Sequence, residues 1–177
     1  MAQDRDADGR LQADPQRFPG GIKPLADYVH NLSLKLGIYS DVGTQTCQGF
    51  PGSFGSYEKD AQTFADWHVD FLKLDTCHLS KDQTANPQPF YKQMSDALLE
   101  TNRSIFYSIC NWGMHDAYKW APAIANQWRT TQDIYPNWHR AMVILDAQVG
   151  LETYAKPGGF NDPGADQQLL HYARCPP

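Results

Sequence analysis

Apolar residues along this chain alternate between two spacings. Ile22, Leu25, Ala26 and Val29 fall at i, i+3, i+4 and i+7 behind a Pro19-Gly20-Gly21 break, which predicts a helix. Leu34-Lys35-Leu36-Gly37-Ile38-Tyr39 then reads as a strand closing at Ser40-Asp41. A Gly- and Pro-rich loop from Gly49 to Gly55 leads into a helix over residues 57–68, and residues 69–74 form the next strand. Phe90, Met94, Ala97 and Leu98 keep helical spacing, and residues 104–109 are a third strand. A helix over 117–125, a short strand over 128–131, a helical face of Trp138, Ala141, Met142 and Leu145, and a fifth strand ending in Asn161-Asp162-Pro163 complete the pattern.

Strands separated by helices predict an α/β fold with a parallel sheet and right-handed crossovers. Each strand finishes in a polar residue, in order Asp41, Asp75, Asn111, Asp133 and Asp162. Polar strand ends mark the ligand face of an α/β sheet or barrel. An eight-unit barrel usually needs about 250 residues. A chain of 177 residues with five or six such units therefore suggests an incomplete (β/α)8 TIM-barrel type. Periodicity stops after Pro163, so residues 1–163 are expected to be one partial catalytic domain and 164–177 an irregular tail.

Composition narrows the chemistry. Hydrophobic residues make up 41% of the chain, with five Trp, nine Tyr and eight Phe, which suits a packed core rather than disorder. A net charge of −5 argues against a nucleic-acid partner. No run approaches the roughly 20 apolar residues needed to span a bilayer. The amino terminus is polar and lacks a signal-peptide core, yet Asn31-Leu32-Ser33 and Asn102-Arg103-Ser104 are glycosylation sequons. The expectation is a secretory-pathway protein, lysosomal or extracellular, whose leader lies upstream of this chain. Four cysteines allow three full pairings, and spacing alone does not choose among them.

Two strand ends carry the candidate chemistry. Phe71-Leu72-Lys73-Leu74-Asp75-Thr76-Cys77 delivers a lysine, a carboxylate and a cysteine, and Trp128-Arg129-Thr130-Thr131-Gln132-Asp133 delivers a second carboxylate beside an arginine. Paired carboxylates are the machinery of glycoside hydrolysis. Lys73 shares a strand face with Asp75 and suits a sugar hydroxyl, although it also fits a strand residue reaching for solvent. Arg129 offers a donor fork, or equally one half of a structural ion pair. Cys77-His78 and His115-Asp116 contain metal-ligand types, but no metal-site spacing recurs, so neither a metal nor an organic cofactor is expected.

Several segments in order resemble glycoside hydrolase family 27, the retaining α-galactosidases and α-N-acetylgalactosaminidases. They are Gly9-Arg10-Leu11-Gln12-Ala13-Asp14-Pro15-Gln16-Arg17-Phe18-Pro19, Leu36-Gly37-Ile38-Tyr39-Ser40-Asp41-Val42-Gly43, Phe71-Leu72-Lys73-Leu74-Asp75, Trp128-Arg129 with Asp133, and Pro157-Gly158-Gly159-Phe160-Asn161-Asp162-Pro163. The resemblance implies a (β/α)8 barrel whose site lies at the carboxyl ends of its strands. It implies Asp75 as nucleophile and Asp133 as general acid/base. It also implies Tyr39, Cys47, Lys73, Asn111, Trp112 and Arg129 as the substrate-binding wall, and a Cys47–Cys77 disulfide beside the nucleophile. The implied partner is a terminal α-linked galactoside, with a homodimer as the implied assembly. Alternatives are α-N-acetylgalactosaminidase activity or a non-catalytic fragment that binds sugar.

Departures from the family pattern are specific. Asn111 stands where many members carry glutamate, and a small residue there would admit an acetamido group, so Asn111 favours galactose. Cys110 lacks the partner that many members place at the position of Ala125, which implies a free, buried thiol. Gly164 replaces a carboxylate in the Asn-Asp-Pro-Asp motif, and the first two family strands and the last are expected to be missing. Asp41 and Asp162 are expected to brace loops by hydrogen bonding.

Overall fold

The computed structural model describes residues 1–164. The chain divides into two compact units, residues 1–108 and residue 109 onward. The irregular tail expected over 164–177 lies, apart from Gly164, outside the described residues.

In the first unit, α1 (Ile22–Asn31) starts after Gly21, whose φ of 85° is open to glycine, and buries Ile22 and Ala26. Strand β1 (Gly37–Asp41) begins three residues later than the apolar run suggests. Leu34 is exposed and apolar, so hydrophobicity alone does not make it a strand residue; the ladder needs a partner. That partner is β2 (Phe71–Asp75), parallel to β1, with Tyr39 opposite Lys73 and Asp41 opposite Asp75. Between them α2 (Tyr57–Asp66) buries Tyr57, Ala61 and Phe64 along one stripe.

Helix α3 (Lys81–Ala85) has no apolar periodicity to announce it. A capping box forms it instead: the Ser80 side chain accepts from the Gln83 backbone, and the Gln83 side chain accepts from the Ser80 backbone. The same Gln83 amide donates to the Val42 carbonyl at 2.7 Å. Helix α4 (Gln88–Glu100) then buries Tyr91, Met94, Ala97 and Leu98, and packs against α2. Strand β3 (Phe106–Ile109) carries the boundary between the units. Five strands are present among the described residues, in the order β1-β2-β3-β4-β5, where β4 is Gln127–Arg129 and β5 is Phe160–Asp162.

In the second unit the expected helix over 117–125 is shorter. Helix α5 (Ala117–Trp120) gives way to a 3-10 turn over Ala121–Ala123, because Pro122 lacks an N–H and its ring disfavours helix continuation. Helix α6 (Trp138–Asp146) is capped by the Asn137 side chain, which accepts from the Arg140 backbone. β4 and β5 run parallel, with Arg129 opposite Asp162. No helix among the described residues is long and apolar enough to cross a membrane.

A buried ion pair ties the amino-terminal segment down. Arg5 grips Asp60 of α2 at 2.6 and 2.8 Å and also donates to the Gly9 and Gly52 carbonyls. Asp60 has no exposed side-chain surface, so losing Arg5 strands a charge out of water. Arg5→Ala is expected to lower the urea-unfolding free energy by about 2–3 kcal/mol, near the low end for breaking a buried pair, because Arg5 keeps some solvent contact. An unchanged urea midpoint would show that the pair adds nothing.

Candidate active site

Parallel register and alternation bring the first cluster together. On β1 and β2, the Tyr39–Lys73 and Asp41–Asp75 rungs lie two residues apart, so all four side chains share one face. Asp75 is buried, and its two oxygens are held separately: Oδ2 accepts from the Tyr39 hydroxyl at 2.9 Å, and Oδ1 from the Thr76 backbone at 2.9 Å. The buried hydroxyl of Tyr91 donates to the Asp75 carbonyl at 3.3 Å and so steadies the backbone. Tyr39 therefore does belong to the cluster. Burial, then the adjacent Asp75 charge, push its phenol well above the usual tyrosine range, so it acts as a donor.

Cys47 and Cys77 form a disulfide across 30 residues of chain, as the family resemblance implies. The Cys47 sulfur lies 3.6 Å from Asp75 Oδ2. Cys110 forms no disulfide among the described residues and is buried, as expected.

Asp41 underlies this arrangement. It is completely buried, and its carboxylate accepts from the Gly43 backbone at 2.7 Å and from the Cys77 backbone at 2.8 Å. One side chain thus ties the loop after β1 to the residue beyond β2. The approach is close enough to require glycine: a Cβ on Gly43 would stand 2.1 Å from the Cys77 carbonyl. Burial pushes the Asp41 carboxyl up to about 7; the two backbone donors oppose the shift, and the Asp75 charge adds to it. Asp41, Cys47, Asp75 and Cys77 present ligand-type atoms all within 4.8 Å of one another. With both sulfurs in the disulfide, only the two carboxylates remain as donors.

The second unit assembles its own cluster. Trp128 of β4 is buried, and its ring nitrogen donates to the Asn161 side chain at 2.7 Å. Arg129, only 1% exposed, donates to Asp133 at 2.9 Å and to the Thr131 carbonyl at 3.2 Å, and lies 3.6 Å from the Cys110 sulfur. Burial works against its charge, but Cys110, Asp162 and Asp133 outweigh it and raise its pKa. The ion-pair alternative for Arg129 is thus present, and its Nε has no hydrogen-bond partner among the described residues. Asp133 itself is about half exposed. Asn111 is buried and donates to the Met114 carbonyl at 2.6 Å, and its Oδ1 has no partner among the described residues.

The remaining candidates fall into place more loosely. Trp112 lies in the turn after β3 with a left-handed φ of 57°, half-buried. Lys73 is half-buried on β2 and has interactions of its own. Asp162 braces its loop as expected, accepting from the Gly164 backbone at 2.8 Å. A side chain on Gly164 would begin 2.7 Å from Arg129 Nη2. Both sequon asparagines, Asn31 and Asn102, are exposed. Sequence reasoning missed Tyr91 and Thr76; nothing in their spacing distinguishes a backbone-steadying tyrosine from a core one.

Parallel strands joined by helices, three of them ending in aspartate, are the architecture of a barrel-type α/β scaffold. The family described as Alpha galactosidase A matches residues 1–169, and the chain belongs to that family. It is 51% identical over 160 residues to an α-galactosidase of Arabidopsis thaliana, alignment covering 90% of this chain and 40% of that protein. It is 51% identical over 173 residues to Homo sapiens α-galactosidase A, covering 92% and 40%. Among solved structures, α-galactosidase I of Mortierella vinacea superposes with a TM-score of 0.86 at 37% identity, covering 92% of this chain and 47% of that one. The chain thus spans about 40% of the length of the curated relatives named here.

The raised Asp41 value has a definite thermodynamic sign. Its folded pKa of about 7 stands above the ordinary 3.8. Between these values the folded chain holds a proton that the unfolded chain has released. The contribution is therefore complete below the ordinary value and is lost as pH rises toward 7, by up to about 4 kcal/mol. Asn at this position does not titrate. The stability deficit of Asp41→Asn, measured by urea unfolding, should thus shrink by about 2–4 kcal/mol between pH 4.5 and pH 7.5. A constant deficit would show that Asp41 does not titrate in this range.

Proposed function

We propose that this chain carries the chemistry of a retaining exo-glycosidase acting on terminal α-linked galactose of oligosaccharides, glycolipids or glycoproteins. The observation that supports it most is the buried Asp75 carboxylate, with one oxygen held by Tyr39, in a chain half identical to proteins named α-galactosidase. Asp75 attacks the anomeric carbon. Asp133 gives its proton to the departing oxygen and then takes one from the incoming water, so configuration is retained. Tyr39 orients the attacking carboxylate. Lys73, Asn111, Trp112, Arg129 and the Cys47 side of the disulfide form the sugar-facing wall. The mechanism needs neither metal nor organic cofactor, because the two carboxyl groups supply nucleophile and proton.

Residues 1–163 are the partial catalytic domain on this reading. Delivery to the secretory pathway fits the exposed sequons and the disulfide. A homodimer of the whole protein rests on family resemblance alone.

The test is release of nitrophenol from a nitrophenyl α-galactoside by the full chain. Asp75→Asn should lower kcat at least about 10³-fold, as loss of a covalent nucleophile does. Activity that survives this change rejects the assignment. Tyr39→Phe should lower kcat by roughly 10–100-fold, the value of one charge-assisted hydrogen bond, with little change in thermal stability. The 2-acetamido analogue decides between galactose and N-acetylgalactosamine; preference for it overturns the galactose assignment. Galactose that raises the melting temperature of a chain without turnover would favour a sugar-binding fragment.

A further inference from the structure

The nucleophile's surroundings contain a second chemistry that the disulfide conceals. Asp41, Cys47, Asp75 and Cys77 contribute two sulfur and two oxygen atoms, all within 4.8 Å of one another. A tetrahedral zinc-type site has metal–sulfur bonds of about 2.3 Å and metal–oxygen bonds of about 2.1 Å, which sets its sulfur-to-oxygen edges near 3.6 Å. The Cys47 sulfur and Asp75 Oδ2 are already 3.6 Å apart. We propose that reduction of the Cys47–Cys77 bridge converts this cluster into a four-ligand site for a soft divalent cation such as zinc or cadmium.

The step balances simply. A dithiol reductant supplies two electrons and two protons, the sulfur–sulfur bond breaks, and the reductant closes to its own disulfide. The incoming cation displaces both thiol protons and forms two metal–thiolate bonds. Cys47 is exposed and Cys77 half-buried, so reductant and cation can reach the sulfurs from solvent.

The surrounding hydrogen bonds suit such a site. Each carboxylate oxygen can spare a lone pair while a protein donor holds it: Gly43 and Cys77 backbones on Asp41, the Tyr39 hydroxyl and Thr76 backbone on Asp75. Outer donors of this kind orient ligands and offset the negative charge they bring. Neither cysteine spacing nor any Cys-X-X-Cys motif announces the site; folding creates it by bringing two strand ends together. The site does not rest on the glycosidase reading, but its consequence does: a cation on Asp75 removes the attacking electron pair.

Cobalt and cadmium report the site directly. The full chain, in a Cys175→Ser background, is reduced with a dithiol, freed of reductant without air, and titrated with each cation. One equivalent should bind to the reduced chain, giving visible tetrahedral cobalt–thiolate bands and an ultraviolet cadmium–thiolate band, both reversed by a chelator. The oxidised chain should show neither band. Asp75→Asn and Asp41→Asn should each weaken binding at least about tenfold, the usual cost of a lost ligand or its support. If Asp41→Asn fails to fold, Asp75→Asn alone decides. Equal uptake by oxidised and reduced chains, unweakened binding in the carboxylate variants, or loss of native circular dichroism on reduction would each overturn the proposal. These readouts need no turnover, so an inactive chain that still binds cobalt separates failure of the glycosidase reading from failure of the metal site.

Discussion

A single buried carboxylate sets the geometry of the first unit's site. Asp41 spans the ends of two parallel strands, accepting one backbone N–H from the loop after β1 and one from Cys77 after β2. Its cost is high, because burial lifts its pKa to about 7. What it secures is the separation of two loops that a disulfide also joins. The Cys47 sulfur lies against Asp75, to which the Tyr39 hydroxyl also donates. The close passage of Gly43 over the Cys77 carbonyl follows from the same constraint.

The two clusters handle charge in opposite ways. Around Asp75, a phenol and a backbone amide donate to the two carboxylate oxygens. Around Asp133, a buried guanidinium does the holding, drawn toward a carboxylate that is half in water. Neutral donors steer a carboxylate while leaving its electron density on its oxygens. A buried arginine instead brings a charged donor to its carboxylate.

Much of the architecture was legible before folding. The alternation of 3.6-residue and continuous apolar spacing placed five strands and the main helices, since burying one face demands those periods. Errors clustered where periodicity carries no information. Leu34 looks like a strand residue but lies ahead of its ladder partner, and Pro122 breaks a helix that apolar spacing extends. Helix α3 is held by a Ser80–Gln83 capping box with no apolar stripe, so the signal was present but of another kind. The division into two units was not legible, because contact density depends on which elements meet rather than on any local pattern.

Chain order alone determined that carboxylates would end β2 and follow β4, that Tyr39 and Asp41 would share a strand face, and that the segments match an α-galactosidase family. Those are consequences of residue identity and a two-residue period. Only tertiary structure decided that Asp41 would bind two loops at once and that Tyr39 would donate to Asp75. It also decided that Arg129 would donate to Asp133 and that one Asn111 oxygen would have no partner among the described residues. The reason is physical: hydrogen-bond satisfaction is settled by distances of a few tenths of an ångström, which register and loop closure set and no linear spacing encodes.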